Sequence, residues 1–95
     1  MTEYQVTSWR QLPSLVVARD GDEIVKTPMA ARFQEAIDET AMRLGETSSE
    51  AYLEGWVRTE WLPADGSPTE VCDRVVTDLE SQWSDAAVSA FLASL

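Results

Sequence analysis

Two short apolar runs, Leu15 to Arg19 ("LVVAR") and Glu23 to Thr27 ("EIVKT"), are separated only by Asp20-Gly21-Asp22. Each run has the length and β-branched content of a strand, and Asp-Gly supplies the positive φ values that a tight hairpin turn demands. Any fold of this chain must therefore accommodate an antiparallel hairpin. The same acids, Asp20, Asp22 and Glu23, could in principle offer oxygen ligands to a hard cation. An EF-hand loop needs further acids at fixed spacing and a distal Glu, whereas here the chain runs straight into Ile24-Val25. The turn is the reading to prefer, and no metal site is expected.

Upstream, residues 4–10 ("YQVTSWR") alternate Tyr4, Val6 and Ser8 with Gln5, Thr7 and Trp9, the period of a half-buried strand. Pro13 breaks that run and pushes Leu12 towards extended geometry. Downstream, Pro28 stands where a helix can begin, and Met29, Phe33, Ile37, Thr40/Ala41 and Leu44 recur at helical spacing before Gly45. Thr47 and Glu50 form a capping-box pattern for a second helix, with Tyr52, Leu53, Trp56 and Val57 on its apolar side. Residues 57–62 read either as a short strand or as irregular chain. Ser67-Pro68-Thr69-Glu70 is a second capping box and opens a third helix, with its stripe on Val71/Cys72, Val75, Val76, Leu79 and Trp83. Val88, Phe91, Leu92 and Leu95 mark a short terminal helix capped by Ser84 or Asp85.

The order of elements predicts an α+β fold: a small antiparallel sheet of three to four strands with three or four helices packed on one face. Residues 1–83 are expected to form one domain, with 84–95 a helical extension packed on it. At 95 residues and 44% apolar content a modest core is attainable. The N-terminus lacks the basic start and apolar run of a secretory signal, and no apolar stretch reaches membrane-spanning length, so a soluble cytoplasmic protein is expected.

Seventeen acids against seven bases leave a formal charge of −10, which disfavours direct contact with nucleic acid or an anionic membrane. The absence of histidine rules out Ser-His-Asp and Cys-His arrangements within this chain. A single cysteine, Cys72, rules out an internal disulfide and a zinc ribbon, and its place on an apolar stripe marks it as core. Glycines at 21, 45, 55 and 66 match neither phosphate-binding pattern, so no cofactor is expected.

Four tryptophans are several times ordinary usage, and tryptophan is the side chain most enriched at binding hot spots. Trp56 and Trp83 fall on core stripes. Trp9, counted against Tyr4 and Val6, points to the opposite face of its strand, and Trp61 flanks the "LPADGS" loop. Trp9 with the adjacent Arg10, and Trp61, are the candidate partner contacts.

The marks Trp9-Arg10, Pro13-Ser14, "ARDGDE", "RFQEAID" with "AMRLG", and "YLEGW", together with "SPTEVCDRVVTDLESQW", resemble the small bacterial domain of the virulence factor family. The resemblance covers about residues 4 to 83, and the tail extends beyond it. In larger relatives such a domain accompanies HEAT-like repeats. The resemblance brings no catalytic residues to this chain. The residues themselves, with no histidine, a single thiol and an excess of tryptophan, point to a non-catalytic interaction or accessory domain with a protein partner, a homodimer being one possibility. Two alternatives stand beside that: an accessory subunit of an enzyme complex, in one-carbon or corrinoid methyl transfer, and an acidic protein that binds a basic partner.

Overall fold

In a computed structural model that describes residues 1–45 and 48–95, the first three strands follow one another as a meander. They are β1 (Thr2–Trp9), β2 (Leu12–Asp20) and β3 (Glu23–Pro28). β2 and β3 pair antiparallel from Leu15↔Pro28 to Asp20↔Glu23, with Gly21 at φ +59° in the turn. The Asp-Gly hairpin is thus as expected, and Asp20 lies 3.1 Å from the N-terminal ammonium of Met1. Pro28 ends β3 rather than opening a helix. The next residue, Met29, donates its N–H to the carbonyl of Ser14 and continues the pairing.

The stretch left open by the sequence forms two strands of three residues each, β4 (Trp56–Arg58) and β5 (Leu62–Ala64). Both run antiparallel to the second edge of β1, β4 against Thr7–Trp9 and β5 against Thr2–Tyr4. The sheet therefore has five strands among the described residues, in the order β3-β2-β1-β4 with β5 also on β1, rather than three or four. An eight-residue strand presents a full row of N–H and C=O groups, and two short partners satisfy them where one long partner is lacking.

Four helices are described: α1 (Ala31–Arg43), α2 (Ser49–Glu54), α3 (Pro68–Gln82) and α4 (Asp85–Ala93). α3 opens with the complete capping box, the Ser67 side chain accepting from Glu70 N–H at 3.2 Å while Glu70 Oε1 accepts from Ser67 N–H at 3.3 Å. Ser84 caps α4 by accepting from Ala87 N–H. The Thr47 cap lies outside the described residues, and Ser48 caps α2, accepting from Ala51 N–H. α2 stops at Gly55, so Trp56 and Val57 belong to β4, while Leu53, expected on the apolar side, is exposed, as are Val57 and Leu44.

One core cluster joins Val16 and Ala18 of β2 to Met29, Phe33 and the Val71, Cys72 and Val76 stripe of α3, with Tyr4, Val6 and Val25 packed against it. The Cys72 thiol is buried there and faces the carbonyls of Val25 at 3.5 Å and Val16 at 3.7 Å. The second cluster holds Trp9, Leu12, Ala36, Ile37, Ala41 and Val88, with Trp83, Phe91 and Leu92 at its margin. α4 accordingly docks on α1 of its own chain, and Arg43 Nη1 donates to the Leu92 carbonyl at 2.9 Å. Among the described residues no helix is long and apolar enough to cross a membrane.

Candidate interaction surface

Among the described residues, those that share a face with Val16 and Ala18 are covered by helices, and the alternate residues of β1 as far as Thr7, and of β2 and β3 beside them, are not. Antiparallel partners put their side chains on the same face. The register therefore defines three rows on the open side: Ile24–Arg19–Glu3, Lys26–Val17–Gln5, and Pro28–Leu15–Thr7–Arg58. Ile24 is 60% exposed, and Lys26, Pro28 and Arg58 are exposed. Leu15, Val17 and Arg19 are half-buried because strands flank them on both sides.

Trp61 belongs to this surface. It immediately precedes β5, and the guanidinium of Arg19 lies over its ring, 3.7 Å from the centroid. Arg19 also approaches Glu3 Oε1 at 3.6 Å. Gln5 Nε2 and the Val6 N–H both bond Thr59, at 3.0 and 3.1 Å, which ties the segment between β4 and β5 to β1 and holds Trp61 in place. A tryptophan face covered by arginine is a pre-ordered aromatic and cationic element.

Trp9 does not lie on that surface, and its assignment as an exposed partner anchor is corrected. It is 0% exposed, its indole N–H donates to the Tyr52 carbonyl at 2.7 Å, and its ring stacks on Tyr52 at 5.6 Å. A register shift lies nearby, between Thr7 and Ser8, where β2 carries an extra residue opposite β1. The bulge interrupts the alternation of β2, while β1 continues in register with β4 through Trp9. What buries Trp9 is the packing of Ala36, Ile37 and Ala41 of α1 and Tyr52 of α2 at that end of the strand. Trp9 instead joins α1 in the second core cluster.

Arg10 is exposed in the β1–β2 turn with φ +53°, its guanidinium carbon 5.5 Å from the Trp9 ring centroid and its N–H bonded to the Gly55 carbonyl at 2.7 Å. It borders an open groove of about 490 Å³ with Gln11, Glu54, Gly55 and Val57. Arg10 and Trp61 are not brought together: they stand at opposite ends of β1, roughly 15–20 Å apart at the rise of a strand.

A second groove, about 410 Å³, runs between α1 and α4 past Arg32, Glu39, Asp85 and Val88. Its cation is already engaged within the fold. Arg32 Nη2 donates to the carbonyls of Glu80 at 3.2 Å and Trp83 at 3.4 Å, while Nε lies 3.4 Å from Asp85 Oδ1 without hydrogen-bond alignment. Among the described residues no group of three or more acidic, thiol or imidazole side chains is placed to hold a metal.

Arg19, Lys26 and Arg58 are surface residues that the sequence reading passed over. The signal was present, because a two-residue turn after Asp20 fixes Arg19 opposite Ile24 and Val17 opposite Lys26. What a single strand pattern could not provide was which face the helices would cover.

These features define a class: a small antiparallel α+β domain, helices on one face of the sheet and a mixed cationic, aromatic and aliphatic surface on the other. The profile of the virulence factor family matches residues 7–92, most of the chain, and the chain belongs to that family. The match runs through α4, so the tail that the sequence set beyond the family pattern lies largely within it. Neither curated proteins nor solved structures gave a match.

Proposed function

We propose that this member of the virulence factor family is a non-catalytic protein-contact domain, and that it meets its partner through the open face of the sheet. The observation that carries the reading is the Arg19–Trp61 stack, held in place on a surface that none of the described helices covers. Tryptophan and arginine are the residues most often found to dominate binding energy at protein interfaces, and a stacked pair loses less side-chain freedom on binding than two separate ones. The chemistry of the chain favours the same conclusion, since it has no histidine to act as a neutral-pH base.

Affinity capture from the source cells, with the wild-type chain and Trp61→Ala in parallel, tests the proposal. A partner retained by the wild type and lost from Trp61→Ala is the expected result. Purified chain that turns over a metabolite unaided, or a partner held equally by both proteins, would overturn it.

A further inference from the structure

We infer that the open sheet face recognises an acidic segment of a partner protein, a short stretch that combines carboxylates with aliphatic side chains. The inference deepens the contact reading above and rests on it.

Charge is distributed unevenly over this molecule. The three rows of the open face contain Arg19, Lys26 and Arg58, three of the seven basic residues, and of the seventeen acids only Glu3 occurs in those rows. Arg32 and Arg43 pair with carboxylates, Arg74 donates to the Asp65 carbonyl, and Arg19 approaches Glu3. The side chains of Lys26 and Arg58, among the described residues, have neither an ion pair nor a hydrogen bond. In a chain so rich in acids, two cationic side chains with neither an ion pair nor a hydrogen bond, Lys26 and Arg58, share one uncovered face.

Lys26 alone would be unremarkable, because lysine on an edge strand such as β3 guards against stray strand pairing. Arg58 on β4 stands at the opposite edge and can serve the same end, but edge protection does not require both cations to face the one uncovered side. Arg58 lies three strand spacings across the sheet and one row along it from Lys26, or about 15–16 Å. The apolar side chains of Leu15 and Val17 lie between the two cations, with the Arg19–Trp61 stack beside them. An occupant that neutralises both cations must therefore carry carboxylates about 15 Å apart with apolar groups between. About five extended residues or ten helical ones span that distance.

Two other occupants fit less well. A second copy packed face to face about a two-fold axis would bring this cationic surface against its own image. A nucleic acid presents a charge about every 1.7 Å of its axis and would extend past the patch into the field of a chain with net charge −10. A short segment stays within the patch.

The test uses a fluorescent peptide of about twelve residues built from Asp-Glu-Leu-Leu repeats, long enough to cross the face as a helix. Its counterpart has Asn and Gln in place of the acids, and an oligothymidylate of similar length serves as a third probe. Anisotropy titrations are run on the full chain and on the Lys26→Glu/Arg58→Glu variant, both sites being exposed, with circular dichroism to verify folding. The acidic peptide should bind, and its affinity should fall about tenfold in the double variant and about two- to fivefold in Lys26→Gln. The neutral peptide should bind more weakly, and added salt should weaken the acidic one. Equal binding of the acidic peptide to wild type and double variant, no saturable binding at all, or tighter binding of the oligothymidylate would overturn the inference. A captured partner that is lost from Trp61→Ala but kept by the double variant would leave the contact reading standing and remove this one.

Discussion

The indole of Trp9 lies against the backbone of Gly55 so closely that a Cβ at position 55 would overlap Cε2, Nε1 and Cζ2 of the ring. Gly55 has φ −72°, a conformation open to any residue, so the requirement for glycine is steric and comes from Trp9 alone. The contact closes the end of the sheet. Trp9 on β1, Tyr52 on α2 and Trp56 on β4 form a continuous aromatic group, with Tyr52 set edge-on to Trp56 at 6.0 Å.

Gly55→Ala is therefore expected to destabilise the fold by about 1–3 kcal/mol, the usual range for overfilling a packed site. Urea denaturation measures it. In a Trp9→Phe background the smaller ring relieves the overlap, so the cost of Gly55→Ala should shrink and the two substitutions should fail to add. Strict additivity would show that position 55 matters for some reason other than the indole.

Arg10, next to Trp9, is the only non-glycine residue with positive φ among those described. A left-handed backbone costs an L-residue about 1–2 kcal/mol, and β-branched side chains tolerate it least. Arg10→Gly removes that strain but frees the unfolded chain and gives up the guanidinium's interactions, the approach to the Trp9 ring among them. Its net effect should be smaller than that of a β-branched replacement, which gives them up and keeps the strain. Arg10→Val should lose about 1–2 kcal/mol. A lower thermal midpoint for Arg10→Val than for Arg10→Gly is the expected pattern, and equal midpoints would mean that backbone strain at position 10 does not matter.

The capping box of α3 offers a third check. Ser67→Ala removes the acceptor for Glu70 N–H and should cost about 1 kcal/mol in urea denaturation. Glu70→Ala breaks the reciprocal bond to Ser67 N–H, and the double substitution should cost less than the two singles together because the bonds act as a pair. A cost near zero for Ser67→Ala would mean that Pro68, buried at the first position of the helix, suffices to start it.

These three cases also mark where sequence reading succeeds. Asp20-Gly21 and Ser67-Pro68-Thr69-Glu70 are local devices: the residues that make the turn or the cap are neighbours in the chain, so their chemistry can be read without the fold. Trp9 was misplaced because its burial depends on α1 and α2 packing over that end of β1, which the strand's own pattern does not reveal. β4 and β5 were undecided because three residues are too few to display a period of two. Arg19 and Trp61 are far apart in sequence, and only the pairing of β1 with β2 on one edge and β5 on the other brings them together.

The tryptophans provide the sharpest separation of fold from contact. Trp9 is fully buried and hydrogen-bonded, so Trp9→Ala should cost about 3–5 kcal/mol and lower the urea midpoint steeply. Trp61 is half-buried on the open face and packs chiefly through its stack with Arg19, itself about two-fifths exposed. At such a site the stack contributes about 0.5–1 kcal/mol, so Trp61→Ala should leave the denaturation curve close to wild type while abolishing capture of the partner. The combination decides the matter, because a destabilised Trp61→Ala would lose a partner for reasons unrelated to contact. Trp61→Phe supplies the control: it keeps an aromatic face for Arg19 and should retain part of the binding. If Trp61→Ala unfolds as readily as Trp9→Ala, the open face is a structural surface and the partner must be sought elsewhere on the domain, first at the groove beside Arg10.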